Sequence, residues 1–336
     1  MDDWTNITIT HNDADGLVSA AIVDKYLKAT QPCASTCVRH FRWNYGNSTA
    51  EIEKVLDENP NATVWLTDIT LPDEFMAKYA DRIMWFDHHK SAIENDKSWK
   101  ANLKGNHSAL TVPFYLGSDD KTPAKQVAAC ELVWLTLFPG TPMPPVVRAI
   151  GRYDVWDNTE ETFAVHEYLT SLVAGIESDG WCVFDSESFT LTVFSFGTEY
   201  QRIVKSGKYK VDAIKQSYAR QCRGVACMAS YKGVTFVLGN VGGVNSTYFD
   251  SFHPDEGEYI VSFCYRLKHN GVTVSCYNRH GADALSFLKQ ITKGIAVTSI
   301  GGHQGACGCV FPLSELEKFL ERFKPVFGAE AVSRVE

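Results

Sequence analysis

The chain has 336 residues, 45% hydrophobic and 21% charged, so ordinary cores can form and about two domains are expected. A net charge of −8 argues against a basic face for long duplex nucleic acid, whose affinity rests on phosphate neutralisation. No run approaches the ~18 apolar residues that span a bilayer, and the acidic start Met1-Asp2-Asp3-Trp4 has no apolar leader; these features predict a cytoplasmic protein with no membrane partner.

In chain order, Ile7–Thr10 alternates and is β-branched, which predicts a strand. It runs into His11-Asn12-Asp13-Ala14-Asp15-Gly16, after which Leu17, Ala20, Ala21, Ile22 and Leu27 recur at helical spacing. Gly16 suits a tight strand-to-helix turn. Ser35–Trp43 predicts a second strand and Thr49–Glu58 a helix ended by Asn59-Pro60-Asn61. Thr63–Thr67 is a third strand ending at Asp68, and Leu71-Pro72-Asp73-Glu74 opens another helix. Arg82–Phe86 returns as a strand that delivers Asp87-His88-His89. Strands alternating with helices indicate a mainly parallel sheet covered on both faces. Residues 91–121 read as irregular, with Asn102–Ser108 and Leu116–Thr122 as loops. Ala124–Phe138 reads as a buried helix. After the break Pro139–Pro145, a helix leads to Tyr153-Asp154-Val155-Trp156-Asp157.

From about 161 to 230 the pattern is helical, over Ala164–Ile176 and Thr198–Gln221, and predicts a connector. After it the pattern becomes α+β. Val234–Leu238, Tyr259–Leu267 and Val272–Tyr277 predict strands, and Asp283–Thr292 and Ser314–Phe323 helices. A glycine-rich stretch, Gly301-Gly302-His303-Gln304-Gly305-Ala306-Cys307-Gly308, lies between those helices. The ten cysteines form no CxxC pair and read as reduced thiols. The Cys33-xxx-Cys37 spacing gives a structural zinc site little support.

The candidate chemistry sits at strand ends, where ligands bind in open α/β sheets. His11, Asp13 and Asp15 would project to one side if the strand continued through them, since strand side chains alternate. With Asp68, His88 and Asp154 they form a carboxylate and imidazole set with no thiolate, suited to hard or borderline divalent cations. Six such groups are enough for two ions bridged by one carboxylate, an arrangement that serves phosphoryl displacement without a serine or cysteine nucleophile. Asp157 is a rival for Asp154. Taken alone, His11-Asn12-Asp13 would be a helix cap, and Gly301–Gly308 a glycine-rich turn.

The combination resembles the DHH phosphoesterase superfamily. The resemblance rests on Asn12–Gly16, the isolated Asp68, Asp87-His88-His89, Asp154, and Gly301–Gly308, which is similar to the signature of the DHHA1 substrate domain. It implies a metal-binding DHH domain over 1–160, a helical connector over 161–230 and a smaller α+β DHHA1-like domain over 231–336. It further implies a two-manganese hydrolase, with Mg2+ or Co2+ as substitutes. On that pattern His11, Asp13 and Asp68 hold one ion. Asp15, Asp68, His88 and Asp154 hold the other. His89 stands beside the scissile phosphate and Asp87 orients an imidazole. Gly301, Gly302 and His303 contact the substrate. Tyr277 and Arg279 stand where the nanoRNase and pAp phosphatase branch carries an arginine-serine pair. The implied substrates are short oligoribonucleotides or small nucleotides such as pAp and dinucleotides, and a homodimer is an implied partner state. RecJ-like single-strand exonuclease and cyclic-dinucleotide phosphodiesterase are the alternatives, and a nucleotide sensor is the non-enzymatic one.

Overall fold

A computed structural model describes residues 4–31, 38–108, 127–174, 187–244, 246–250, 252–253, 256–267, 270–302 and 305–326. The chain divides into two compact units, Met1–Val211 and Asp212–Glu336. Cys33, Cys37 and His303 lie outside the described residues. Among those described, no helix is long and apolar enough to cross a membrane.

The first unit is built on a parallel five-stranded sheet. Its strands are β1 (Asn6–His11), β2 (Val38–Trp43), β3 (Thr63–Thr67), β4 (Ile83–Asp87) and β5 (Gly105–Ser108), in the order β2-β1-β3-β4-β5. β5 corrects the expectation of a loop over Asn102–Ser108. Gly-Asn-His-Ser carries no apolar alternation; this edge strand is held by its ladder to β4, Met84 opposite Gly105 and Phe86 opposite His107, with the His107 ring stacked on Phe86 at 4.7 Å. Near-continuous apolar runs in β3 and β4 follow from burial of both sheet faces.

Helices α2 (Ala50–Glu58) and α3 (Asp73–Tyr79) cover one face, around Ile7, Ile9, Val64, Leu66 and Trp85. The other face packs on α1 (Ala14–Thr30) and α5 (Ala129–Leu137). The short α4 (Lys90–Glu94) packs Ala92 and Ile93 against the cluster of the first face. Helix α1 is a good former rich in Ala, and Leu17, Val18, Ile22, Val23 and Leu27 are all buried on its core side. Helices α6 (Pro145–Asp154), α7 (Glu160–Ala174) and α8 (Glu187–Val193) add to the same core through Val146, Ile150, Val165, Leu169 and Phe189. Much of the segment read as a connector thus buries apolar side chains in the first unit's core.

Helix α9 (Gly197–Val225) runs into the second unit, a seven-stranded mixed sheet. Its strands are β6 (Ala226–Tyr231), β7 (Val234–Asn240), β8 (Tyr259–Arg266), β9 (Gly271–Asn278), β10 (Ser299–Gly302), β11 (Ala306–Pro312) and β12 (Lys324–Pro325), in the order β10-β11-β9-β8-β7-β6-β12. β7 and β8 are parallel and the other pairs antiparallel. One face, with Val261, Val272, Val274 and Phe311, is covered by α10 (Ala284–Ile291) and α11 (Leu316–Leu320). Four of these strands, β6, β10, β11 and β12, were not foreseen, and β11 alternates half-buried and buried along Ala306–Phe311.

Candidate metal centre

Three strand ends and one helix end bring the predicted carboxylates and imidazoles together. β1 stops at His11 and α1 begins at Ala14, so residues 11, 13 and 15 do not alternate along one strand as expected. Instead Asp13 caps α1. Its Oδ1 accepts the Gly16 N–H at 2.9 Å, and its Oδ2 lies 2.7 Å from His11 Nδ1. Asp13 thus caps the helix with one oxygen and turns the other to His11. The turn demands glycine at 16, because an added Cβ would stand 2.3 Å from the His11 carbonyl oxygen. Beneath it, Thr67 Oγ1 donates to Thr10 Oγ1 at 2.9 Å, and Thr10 Oγ1 donates to the Gly16 carbonyl at 2.6 Å. This hydroxyl chain ties the end of β3 to the turn.

Asp68 follows β3 with φ +60°, a left-handed conformation that costs a non-glycine residue on the order of 1–3 kcal/mol and clusters at functional sites. The Asp68 N–H donates to the Phe86 carbonyl at 2.8 Å, which holds the strained residue against β4. Its carboxylate is 2% exposed and central. Oδ2 is 3.6 Å from His11 Nδ1, and Oδ1 is 3.2 Å from His88 Nε2. His88 Nε2 is also 3.2 Å from Asp154 Oδ2 and 3.9 Å from Asp15 Oδ2. Neither Asp68 oxygen has a hydrogen bond of good geometry among the described residues. Buried carboxylate oxygens without donors are rare. Here they face imidazole nitrogens and other carboxylates, as ligands do around a shared cation. Ligand atoms of His11, Asp13 and Asp68, of Asp15, His88 and Asp154, and of Asp68, His88 and His89 each gather within 4.8 Å. The donor set, all oxygen and imidazole nitrogen, fits Mn2+ or Mg2+ in chemistry.

Asp154, at the end of α6, joins this cluster. Asp157 does not: its side chain is 58% exposed and lies 3.7 Å from Arg152. Asp87 is wholly buried and serves His89. Its Oδ1 accepts the His89 backbone N–H at 2.9 Å and stands 2.8 Å from His89 Nδ1. Thr70 Oγ1 donates to Asp87 Oδ2 at 2.6 Å, and Trp85 Nε1 donates to Thr70 Oγ1 at 3.1 Å. Burial alone would raise the Asp87 pKa, but these donors hold it below the usual carboxylate range. An ionised carboxylate only accepts, so Nδ1 carries the His89 proton and Nε2 is the atom left for other work.

No protein-family model matches the sequence, and no curated protein matches it. Solved structures do match. A DHH-domain protein described as a member of the s1p family of ribosomal proteins superposes with a TM-score of 0.63 at 11% identity, over 95% of this chain and 85% of that one. The pGpG-specific phosphodiesterase PggH from Vibrio cholerae matches at a TM-score of 0.52 and 12% identity, over 94% of this chain and 96% of that one. RecJ from Thermus thermophilus, in complex with Mn2+, matches at 0.50 and 15% identity, over 94% of this chain and 51% of that one. The chain spans about half the length of that RecJ.

The chain has the DHH fold.

Within this cluster the carboxylates and imidazoles shift one another's pKa values. Burial first, then the Asp68 charge, pushes Asp15 up to about 7. Burial and the Asp15 charge likewise push Asp154 up to about 7. Burial pulls His88 down, but Asp68, Asp15 and Asp154 outweigh it and raise it to about 10. His11 behaves the same way, raised to about 10 by Asp13 and Asp68 against burial.

Sequence reasoning missed the residues that fix this DHH centre from behind. Asp15 accepts the Ala129 and Cys130 N–H groups at 2.9 and 2.8 Å, at the start of α5. That helix end is locked to α6 by Glu131, whose Oε2 accepts the Ala128 N–H at 3.1 Å and whose carboxylate takes Arg152 in a two-pronged pair, Nε to Oε1 at 2.9 Å and Nη2 to Oε2. Both charges are buried. One signal was available: Glu131 is the sole charged residue in Val127–Leu137. Thr70 gave none.

In the second unit, Gly302 has φ +126°, and an added Cβ would stand 2.5 Å from the Cys307 Cα. A Cβ on Gly301 would meet nothing within 4 Å, so its backbone faces open space. Tyr277 donates to the Val244 carbonyl at 3.4 Å. Arg279 donates to the carbonyls of Phe249, Phe252, His253 and Glu256 at 2.6–2.9 Å. Its guanidinium is thereby engaged in tying the 249–256 loop to the sheet.

Proposed function

We propose that the chain is a metal-dependent phosphoester hydrolase that acts on short oligoribonucleotides or small nucleotides. The observation that carries this reading is the convergence of His11, Asp13, Asp15, His88 and Asp154 on the buried, donorless carboxylate of Asp68. On this reading His11, Asp13 and Asp68 hold one divalent ion, and Asp15, Asp68, His88 and Asp154 a second, with Mn2+ preferred and Mg2+ or Co2+ as substitutes. Such a pair, when bound, supplies water activation at neutral pH and neutralises charge developing on phosphoryl oxygens.

The chain's own residues set up the rest. Asp68, strained and fixed by its N–H to Phe86, keeps both carboxylate oxygens turned into the cluster. Ala129 and Cys130 hold Asp15 in one rotamer. Asp87 fixes the His89 proton on Nδ1 and raises its basicity, so His89 Nε2 can position a phosphoryl oxygen or, as imidazolium, give a proton to the leaving oxygen. Gly301, Gly302 and Tyr277 are the proposed substrate contacts of the second unit, with His303 beside them in the sequence. Arg279 is left out of that set because its guanidinium already serves four carbonyls.

The test is one panel on metal-stripped protein given back Mn2+: a labelled RNA dinucleotide, a longer RNA, pAp, cyclic dinucleotides and pyrophosphate. Mn2+-dependent turnover of the dinucleotide or pAp, lost in Asp68→Ala, is expected. No turnover of any phosphoester by the wild type with Mn2+ would sink the proposal, and a clear preference for the longer RNA would replace it with an exonuclease.

A further inference from the structure

The second unit carries a cleft of about 640 Å3 that the proposed reaction does not use. It is lined by Arg266, Asn270, Thr273, Thr298 and Ser299, with Val310 and Pro312 as an apolar wall. Register puts these residues side by side. Arg266 pairs with Gly271 and Gly271 with Pro312. Thr273 pairs with Val310 and Val310 with Ser299. Since side chains alternate, Arg266, Thr273, Val310 and Ser299 share one face of the sheet. It is the face opposite the one that Val272, Val274 and Phe311 bury beneath α10 and α11.

The charge of this cleft runs against that of the chain. The protein carries −8 overall, yet among the described residues no aspartate or glutamate lines the cleft. Arg266 is exposed, and among the described residues it makes no ion pair or hydrogen bond. A terminal nitrogen would be 3.6 and 3.9 Å from Cβ atoms placed on Gly242 and Gly243, so a bare backbone leaves the guanidinium room. An arginine fork matches a phosphate or carboxylate two-pronged. Three hydroxyls and one amide beside it offer more donors than a carboxylate can use, and a phosphate can accept them all. The volume falls within the ~300–1,000 Å3 of small-molecule sites and exceeds what a bare phosphate needs. The wall of Val310 and Pro312 suits a sugar or base.

We infer that the cleft around Arg266 is a second nucleotide-binding site, which takes the phosphate of a mononucleotide on Arg266, Thr273 and Ser299. It stands apart from the glycine motif. Ser299 and Gly302 are three residues apart on β10, about 10 Å along the strand at ~3.4 Å per residue. It also goes beyond the hydrolytic reading and does not depend on it.

The test uses the full chain dialysed against EDTA, so that metal-held phosphate does not contribute. Calorimetric titration with 5′-AMP should show saturable binding in the wild type. Arg266→Gln should weaken it about ten- to a hundred-fold, the loss expected for a charged hydrogen-bonding pair, with an unchanged melting temperature because Arg266 is exposed. Thr273→Val should weaken it several-fold. Asp68→Asn should bind AMP as the wild type does, which separates this cleft from the metal centre. AMP affinity unchanged by Arg266→Gln, or no AMP binding at millimolar concentration, would overturn the inference. So would inorganic phosphate binding as tightly as AMP, since the cleft would then hold a free phosphate and no nucleoside.

Discussion

Asp68→Asn should make the metal-free protein more stable while removing its response to metal. The Asp68 carboxylate is 2% exposed, lacks hydrogen-bond donors of good geometry, and faces Asp13 and Asp15. Burial first, then the Asp13 charge, raises its pKa, and outweighs His11 and His88, which pull it down. A carboxyl whose folded pKa lies above its unfolded value contributes stability only below the unfolded value, and loses it as pH rises through the folded one. At pH 8 ionised Asp68 is therefore a cost. Its neighbour gives the scale. Asp15 stands at about 7 rather than 3.8, which at 1.36 kcal/mol per unit is a cost of about 4 kcal/mol, with Asp68 its second cause after burial. Removing the Asp68 charge should return about 1–2 kcal/mol. Asparagine keeps the shape and tolerates the left-handed backbone, so little is lost in exchange. For a unit of roughly 200 residues this is about 2–8 °C in Tm. The assay is differential scanning calorimetry at pH 8 in EDTA and in excess Mn2+. The wild type should melt higher in Mn2+, because a cation that binds only the folded state stabilises it. Asp68→Asn should melt higher than the wild type in EDTA and gain little from Mn2+. A mutant less stable than the wild type in EDTA, with an undiminished Mn2+ shift, would refute the reasoning.

Three further outcomes are expected. Glu131→Ala should destabilise the fold by about 3–5 kcal/mol, because it removes one member of a buried two-pronged charge pair; a urea midpoint within error of the wild type would contradict that. Asp87→Asn should lower kcat/KM about ten- to a hundred-fold by releasing the His89 ring, at unchanged metal content; loss of metal from the mutant would instead make Asp87 a ligand support. Mn2+ affinity should rise about ten-fold or more per pH unit between pH 6 and 8, since His11 and His88 hold protons up to about 10 and Asp15 and Asp154 up to about 7, and cations must displace them; titrations giving equal affinity at pH 6 and 8 would rule this out.

How legible the molecule was in its sequence depended on where the signal lies. Apolar runs buried on both sides, as in Thr63–Thr67 and Ile83–Phe86, are strong local signals, and the strands and their terminal Asp68 and Asp87-His88-His89 followed from them. Asp154 was legible from its place after an amphipathic segment, and the structure separates it from Asp157 by burial. Edge strands were not. β5 has no apolar alternation, and β10, Ser-Ile-Gly-Gly, is exposed throughout. Both are held by ladder bonds to a neighbouring strand, β5 to β4 and β10 to β11, which periodicity cannot register. Arg279 was expected at the substrate only from its place in the resemblance, and the carbonyls of Phe249, Phe252, His253 and Glu256 that it serves leave no local pattern in the sequence. The Glu131–Arg152 pair joins residues 21 apart, and only the oddity of a lone charge in an apolar helix hinted at it.

The account turns on two ions sharing Asp68, and electron paramagnetic resonance of the Mn2+-loaded protein addresses that directly. Two Mn2+ per chain with an exchange-coupled spectrum are predicted for the wild type, and loss of the coupled signal for Asp68→Asn. A single uncoupled Mn2+ per chain, or a coupled pair that persists in Asp68→Asn, would contradict it.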